Sequence, residues 1–337
     1  MYNYEDIRIL EIELTNTCNA ACPQCLRTNE QQSDHGQYND NLNFDLVVAN
    51  TTPEFWYNLK QINFNGNTGD NIAHPDFKKV LSKISEMSPN TTVMVSTNGS
   101  LRNVDWWYDL GQLLTHNQSV IFGIDGLEDT HSLHRVGTNW KKIIENAKAF
   151  IAGGGSAIWQ MIPFAHNQHQ VDQCKKLAQD LGFVKFIVKS ENRFPRDQSS
   201  QPVYFKKKLS HNIHKATTIN LTSDICQSME QLNVSTKIKC KSQDIKWLAM
   251  YADGTVWPCC WLMGWHRSPH QGRAYQITNY HFKKILGLDF INTNVYNNKL
   301  QDIINGEVWQ TRFPKSFTSQ PNPVCIQQCS IKHDSNT

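Results

Sequence analysis

Cys18, Cys22 and Cys25 stand within eight residues, in the stretch CNAACPQC, with Pro23 between the second and third. The spacing C-x3-C-x2-C lets one short loop present three thiolates to three corners of an iron–sulfur cubane, a cluster that normally takes four cysteines. Three leave one iron open to a substrate or cofactor. A zinc ion would need a fourth Cys or His close by, and His35, ten residues beyond Cys25, is the only near histidine. The spacing therefore predicts a [4Fe–4S] cluster on Cys18, Cys22 and Cys25.

A second group of thiols lies far downstream. CKSQDIKWLAMYADGTVWPCC runs from Cys240 to Cys260, and CIQQC near the end of the chain supplies Cys325 and Cys329. KWLAMYA and TVWP flank Asp253-Gly254, a strong hairpin turn signal, so Cys240 and Cys259 are expected to be neighbours. Cys325 and Cys329 are one helical turn apart. Four thiols from two segments suffice for one more cluster. A zinc site that staples a small unit is the other reading of the same residues. Adjacent residues of an extended strand point to opposite faces, so Cys259 and Cys260 are not both expected to be ligands.

Six strand-like runs must position these groups: 7–14, 61–66, 92–97, 119–125, 157–164 and 184–189. Helical patterns fill the gaps. Phe77, Val80, Leu81, Ile84 and Met87 repeat at helical spacing after Pro75. Asn139 is a good N-cap for Trp140, Ile143, Ile144, Ala147 and Ile151, which GGG then stops. Val171, Cys174, Leu177, Ala178 and Leu181 form a third stripe, so Cys174 reads as a core thiol. Six alternations predict parallel βαβ units in an α/β fold, either a partial barrel or a doubly wound sheet. Chemistry in either case collects at the C-terminal ends of the strands. CNAACPQC follows the first strand there, TGDN the second, STNG the third and GIDG the fourth.

Together these turns resemble the radical S-adenosylmethionine enzymes, over most of the chain. The resemblance implies a partial (β/α)6 TIM-like barrel and a cluster whose open iron chelates the amino and carboxylate groups of S-adenosylmethionine. An electron then splits the cofactor to methionine and a 5′-deoxyadenosyl radical, which takes a hydrogen atom from a substrate. By the same resemblance Thr68, Gly69 and Asp70 meet the methionine amino group, and Ser96 and Asn98 meet the ribose. Asp125 lies near the cofactor, and Arg135 pairs with its carboxylate. The sequence departs from the family pattern at Gln24, where an aromatic residue usually covers adenine, and at Asp70, Asn71 and Gly123.

The run C-x13-G-x4-C resembles the auxiliary-cluster extension called SPASM, or its shorter relative, the twitch domain. The full SPASM form holds two clusters on seven cysteines, whereas five follow Cys240 onward here, counting Cys240 itself. The resemblance thus implies one auxiliary [4Fe–4S] cluster on Cys240, Cys259, Cys325 and Cys329, in a small C-terminal domain containing a β-hairpin. Cys226 and Cys260 are left over. In some radical enzymes a cysteine returns a hydrogen atom to the substrate, a role open to either, while a buried inert thiol is the plainer reading. His131, His134 and His266 are lone histidines of the kind that serve as general bases or simply pack.

The expected divisions are a barrel over 1–195, a polar, basic connecting segment over 196–239 and the auxiliary-cluster unit over 240–337. Within 185–215 eight Lys or Arg face two acidic residues, which reads as a solvated face or linker rather than an anion-binding surface. A net charge of +3 is too small to make nucleic acid the main partner. No apolar run reaches the length of a membrane span, and the acidic start is unlike a signal peptide. A cytoplasmic location follows as the expectation, with the ten cysteines reduced. The leading functional reading is hydrogen abstraction from a peptide or protein, giving oxidation, epimerisation or a crosslink. The alternatives are a dehydrogenase of a small sugar-like metabolite and a non-catalytic iron–sulfur or S-adenosylmethionine-binding protein. The first strand opens near residue 7, so a peptide would be recognised by the barrel or by a separate partner. Reduced flavodoxin or ferredoxin is the electron donor the resemblance implies.

Overall fold

Each of the six predicted runs forms a strand. β1 (Ile9–Ile12), β2 (Gln61–Phe64), β3 (Thr92–Thr97), β4 (Gln118–Gly123), β5 (Ser156–Met161) and β6 (Lys185–Val188) pair in that order, and every pairing is parallel. The computed structural model describes residues 1–25, 27–28, 40–114, 116–190, 199–205, 208–217, 238–266, 287, 293–318 and 322–330. Right-handed crossovers place the helices on one face of such a sheet and curl it, which gives a partial (β/α)6 barrel.

Local chemistry sets the helices. α1 (Phe44–Ala49) is capped by Asn43 and α2 (Pro53–Asn58) by Thr52, with Pro53 at its first position. α3 (Phe77–Met87) buries Phe77, Val80, Leu81 and Ile84; it starts two residues after Pro75 rather than at it. Asn103 caps α4 (Val104–Leu113). After the single turn α5 (His131–His134), Asn139 caps α6 (Trp140–Ala152), whose Ile143, Ile144, Ala147 and Phe150 face the sheet. α7 (Val171–Asp180) buries Cys174 and Ala178, so Cys174 is a core thiol. On β1, Leu10 and Ile12 belong to this core; the period of two turns Glu11 and Glu13 to the barrel interior.

Within the polar connecting segment, residues 200–205 and 208–214 carry regular structure. β7 (Ser200–Phe205) and β8 (Lys208–His214) form a separate antiparallel pair. Val203 and Ile213 join Val136, Ile162 and Phe164 in a second small core. Gln201 Nε2 donates to the Pro23 carbonyl at 3.0 Å, and His211 Nε2 lies 2.8 Å from the Leu133 carbonyl. The pair therefore leans over the cysteine loop.

Following α8 (Lys241–Ile245), β9 (Trp247–Met250) pairs in parallel with β1 on the side away from β2, and β10 (Val256–Trp257) runs antiparallel to β9. The expected hairpin thus extends the barrel's own sheet to eight strands. Its turn holds Gly254 at φ +83°, and Asp253 Oδ1 accepts from the Thr255 N–H at 3.0 Å. α9 (Cys260–His266), α10 (Leu300–Asn305), α11 (Phe313–Thr318) and α12 (Pro323–Cys329) complete the described elements. Among the described residues no helix is long and apolar enough to cross a membrane.

β4 is the centre of an aromatic cluster in which Phe122 meets Trp107 at 5.1 Å and both Phe150 and Phe183 at 6.0 Å. Phe122→Ala should cost about 3–5 kcal/mol of stability. Chemical denaturation measures it, and a loss under about 1 kcal/mol would show that this wall does not hold the barrel.

Candidate functional site

The loop after β1 carries Cys18, Cys22 and Cys25, all half-buried. Asn16 and Asp40 exchange two bonds, Asn16 Nδ2 to Asp40 Oδ2 at 2.8 Å and Asp40 N to Asn16 Oδ1 at 2.9 Å, which anchor its base. The Arg27 guanidinium draws in the carbonyls of Asn16, Cys18 and Ala20 at 3.2, 2.8 and 3.0 Å. With its carbonyls held by Arg27, the loop is free to turn its thiols elsewhere. Two donors aim at sulfur: Ala20 N–H at 3.3 Å and Asn98 Nδ2 at 3.5 Å from Cys18 Sγ. Burial pushes the Cys18 and Cys22 thiols up, and Arg135 pulls Cys22 back. Gln24 is buried in the turn between Cys22 and Cys25. His35 lies outside the described residues.

The turn after β2 is pressed against this loop. A Cβ on Gly69 would stand 2.0 Å from the Thr15 carbonyl oxygen, so only glycine fits. The Asp70 N–H donates to the Thr17 carbonyl at 2.9 Å. The Asp70 carboxylate accepts from Thr97 Oγ1 at 3.0 Å, Asn98 N–H at 2.9 Å and Ile72 N–H at 3.2 Å. It therefore ties the turn after β2 to the end of β3. Burial raises its pKa in spite of these donors. Thr68 is buried with its hydroxyl unpartnered among the described residues, and Ser96 faces the interior half-buried. Asn98 Nδ2 also reaches Asn19 Oδ1 at 2.9 Å.

Asp125, after β4, is fully buried. Its Oδ2 binds His134 Nδ1 at 2.7 Å and accepts from Arg135 Nε at 2.6 Å, and its Oδ1 accepts from the Ile162 N–H at 2.7 Å. Burial alone would raise this carboxyl, but Arg135 and His134 hold it well below the ordinary range. Burial drives His131 down to about 3. Its Nδ1 accepts the Asp125 N–H at 3.1 Å, so the neutral ring carries its proton on Nε2, 3.0 Å from Thr138 Oγ1. Both histidines therefore brace Asp125. Arg135 spans from Asp125 to Cys22. It also lies where a side chain at 123 would begin, since a Cβ there would meet its guanidinium at 2.8 Å. Gly123 and the placement of Arg135 go together.

Cys240, Cys259, Cys325 and Cys329 line one pocket with Pro258, Leu262, Phe317 and Val324, and the accessible wall is apolar. Asn322 caps α12 through the Val324 N–H at 2.9 Å, which fixes Cys325 and Cys329 on one helix face. The Lys239 N–H donates to the Cys329 carbonyl at 2.9 Å and joins that helix to Cys240. Burial pushes Cys240, Cys259 and Cys325 up, Cys259 to about 12. Such thiols stay protonated until a metal displaces the proton. Cys260 opens α9 instead of continuing a strand, and it faces Glu11. Cys226 and the side chain of His266 lie outside the described residues. Among those residues no three His, Cys, Asp or Glu converge closely enough to hold a single metal ion.

Sequence reasoning passed over Arg27, Glu11, Glu13 and Asn67. Glu11 and Glu13 are fully buried. Asn67 Nδ2 donates to Glu11 Oε1 at 2.6 Å and Glu13 Oε1 at 3.0 Å, and the Asn67 N–H reaches Glu13 Oε1 at 2.8 Å. Burial, reinforced by Glu11, raises Glu13 to about 8. Alternation of charge with Leu10, Ile12 and Leu14 was the available signal.

No family model and no curated protein matches the sequence. Solved structures do match. SuiB of Streptococcus suis bound to the precursor peptide SuiA is 12% identical over 96% of this chain and 70% of SuiB, with a TM-score of 0.56. SuiB bound to S-adenosylmethionine is 12% identical over 92% of this chain and 65% of SuiB, with a TM-score of 0.54. This chain thus spans about two thirds of SuiB's own length. Native anSMEcpe with bound AdoMet and Cp18Cys peptide is 14% identical over 92% of this chain and 83% of that one, with a TM-score of 0.50. The shared property is the fold, a parallel sheet curled into a partial barrel.

Glu13 unfolds to a carboxyl of ordinary pKa, 4.5, but is held near 8 when folded. Its contribution to stability is complete below 4.5 and is lost as the pH rises through about 8. Glu13→Gln stays neutral, so its stability advantage over the parent should widen by on the order of 1 kcal/mol per pH unit from pH 5 to 8. Urea titrations across that range check this; a pH-independent difference would contradict it.

Proposed function

From the shared fold and the cysteines on it, we propose that this chain is a radical S-adenosylmethionine enzyme. It would abstract a hydrogen atom from a peptide or protein substrate and carry one auxiliary [4Fe–4S] cluster. The observation that carries the reading is the loop after β1. It offers three thiols, carbonyls held by Arg27, and N–H donors aimed at Cys18 Sγ. That donor set suits an iron–sulfur cluster, because N–H bonds to sulfur stabilise the thiolate form and tune the potential. Bound there, the cluster would supply the electron that cleaves S-adenosylmethionine to a 5′-deoxyadenosyl radical.

The chain's own groups would do the rest. Thr68 and Gly69 would present the methionine amino group with backbone, while Asp70 keeps the turn against Asn98. Ser96 and Asn98 would face the ribose. Arg135, fixed by Asp125, would stand beside Cys22 as the cation for the cofactor's carboxylate. Cys240, Cys259, Cys325 and Cys329 would close all four corners of the auxiliary cluster in an apolar pocket. Cys260, turned to Glu11 instead, and Cys226 would remain as hydrogen-atom donors. The peptide substrate is supported by the two similar structures that hold peptides, SuiB with SuiA and anSMEcpe with Cp18Cys. Reduced flavodoxin or ferredoxin would be the donor.

Anaerobic reconstitution tests this. The parent should hold about eight irons, in two four-iron clusters, and release 5′-deoxyadenosine from S-adenosylmethionine and dithionite. Cys22→Ala should lose about four irons and all cleavage, whereas Cys329→Ala should lose the other four and still cleave the cofactor. Full clusters without cleavage would sink the enzyme reading; zinc on the second set would make that unit structural.

A further inference from the structure

Asn67 stands immediately before the Thr68–Asp70 turn, and three hydrogen bonds commit it to β1. Its amide N–H goes to Glu13 Oε1, and its Nδ2 donates to Glu11 and Glu13 together. No cation pairs with either carboxyl among these contacts, and both are fully buried. Glu13 Oε2 has no hydrogen-bond partner among the described residues. Burying polar oxygens without hydrogen-bond partners is costly even for a neutral carboxyl, so packing alone is a poor reason to place two of them here. Glu11 also faces Cys260, in the C-terminal segment. The pair therefore joins that segment to the turn after β2.

What the turn touches decides the consequence. Gly69 lies against Thr15 and Asn16, and the Asp70 N–H holds the Thr17 carbonyl, one residue before Cys18. A shift at Asn67 would move the turn relative to the cysteine loop. We propose that Glu13, acting through Asn67, is a positioning residue that holds the Thr68–Asp70 turn in register with the cysteine loop for S-adenosylmethionine. The inference rests on the proposed reading of that turn as a cofactor contact. Glu13 does not touch the cofactor. It fixes the residue from which the turn departs.

The experiment uses anaerobically reconstituted enzyme and three variants, Asn67→Ala, Glu13→Ala and Glu13→Gln. Iron content, equilibrium binding of S-adenosylmethionine, and KM and kcat for 5′-deoxyadenosine release are measured on each. Asn67→Ala and Glu13→Ala should weaken S-adenosylmethionine binding and raise KM about tenfold or more with iron content unchanged and kcat within about threefold. Glu13→Gln offers an amide oxygen to the same two N–H groups and should bind within about threefold of the parent. Asn67→Ala leaves β1 intact and keeps the test readable where Glu13→Ala does not fold. Parental affinity in Asn67→Ala, loss of affinity only in step with lost iron, or Glu13→Gln as weak as Glu13→Ala overturns the inference alone. A parent that takes up iron but binds no S-adenosylmethionine overturns the functional reading and this inference with it.

Discussion

β1 is hydrogen-bonded in parallel on both sides, with Ile9–Glu11 against Gln61–Asn63 and Ile9–Ile12 against Trp247–Met250. Every group of interest is referenced to that strand. Its C-terminal end releases the cysteine loop. Its interior face carries Glu11 and Glu13. Its free edge receives the returning segment that brings Cys240 and Cys259. A one-residue slip would turn Glu11 and Glu13 outward and bury the wrong face. The register is held by Leu10 and Ile12 on the helical side, both fully buried.

Two carboxyls of equal burial take opposite states on this frame. Asp125 is met by Arg135, His134 and a backbone N–H, and is held ionised. Glu13 is met only by neutral amide donors and by a second carboxyl, and is driven towards the neutral acid. Desolvation is common to both, so partner charge decides the sign. The ionised one orients a cation beside Cys22, and the neutral one orients a loop. An exchange of these roles would leave Arg135 without its anion and Asn67 beside two repelling charges.

The sequence was legible where periodicity and spacing carry physical content. The six strands, the stripes of α3, α6 and α7, and the Asp253-Gly254 turn each follow from local chemistry. So does the convergence of the turns after β1 to β4 on one rim, because parallel strands send their C-terminal ends the same way. β7 and β8 were hidden because, among the described residues, Val203 and Ile213 are the members of this polar stretch that join a core, too few for a periodic signal. Arg27 was missed because its partners are backbone carbonyls, which no sequence pattern marks. Gly123 read as a departure, yet it is the space that Arg135 occupies. Glu11 and Glu13 were passed over because their partner Asn67 lies more than fifty residues away, on the turn after β2.

The direction of the chain through β9 and β10 places the two cysteine sets. β9 ascends beside β1, and β10 descends with Trp257 opposite Ala249. Cys259, two residues further, is level with Trp247 and hence with Ile9 at the start of β1. Cys18 lies nine residues beyond Ile9, past the far end of the strand. At about 3.3 Å per residue the two levels are at most roughly 30 Å apart along the strand, and less where the loop bends. On the proposed reading the cofactor cluster sits at one end of β1 and the auxiliary cluster at the other. The barrel interior lies alongside the line between them. Glu11 stands partway along it and faces Cys260, next in sequence to Cys259 of the second thiol set.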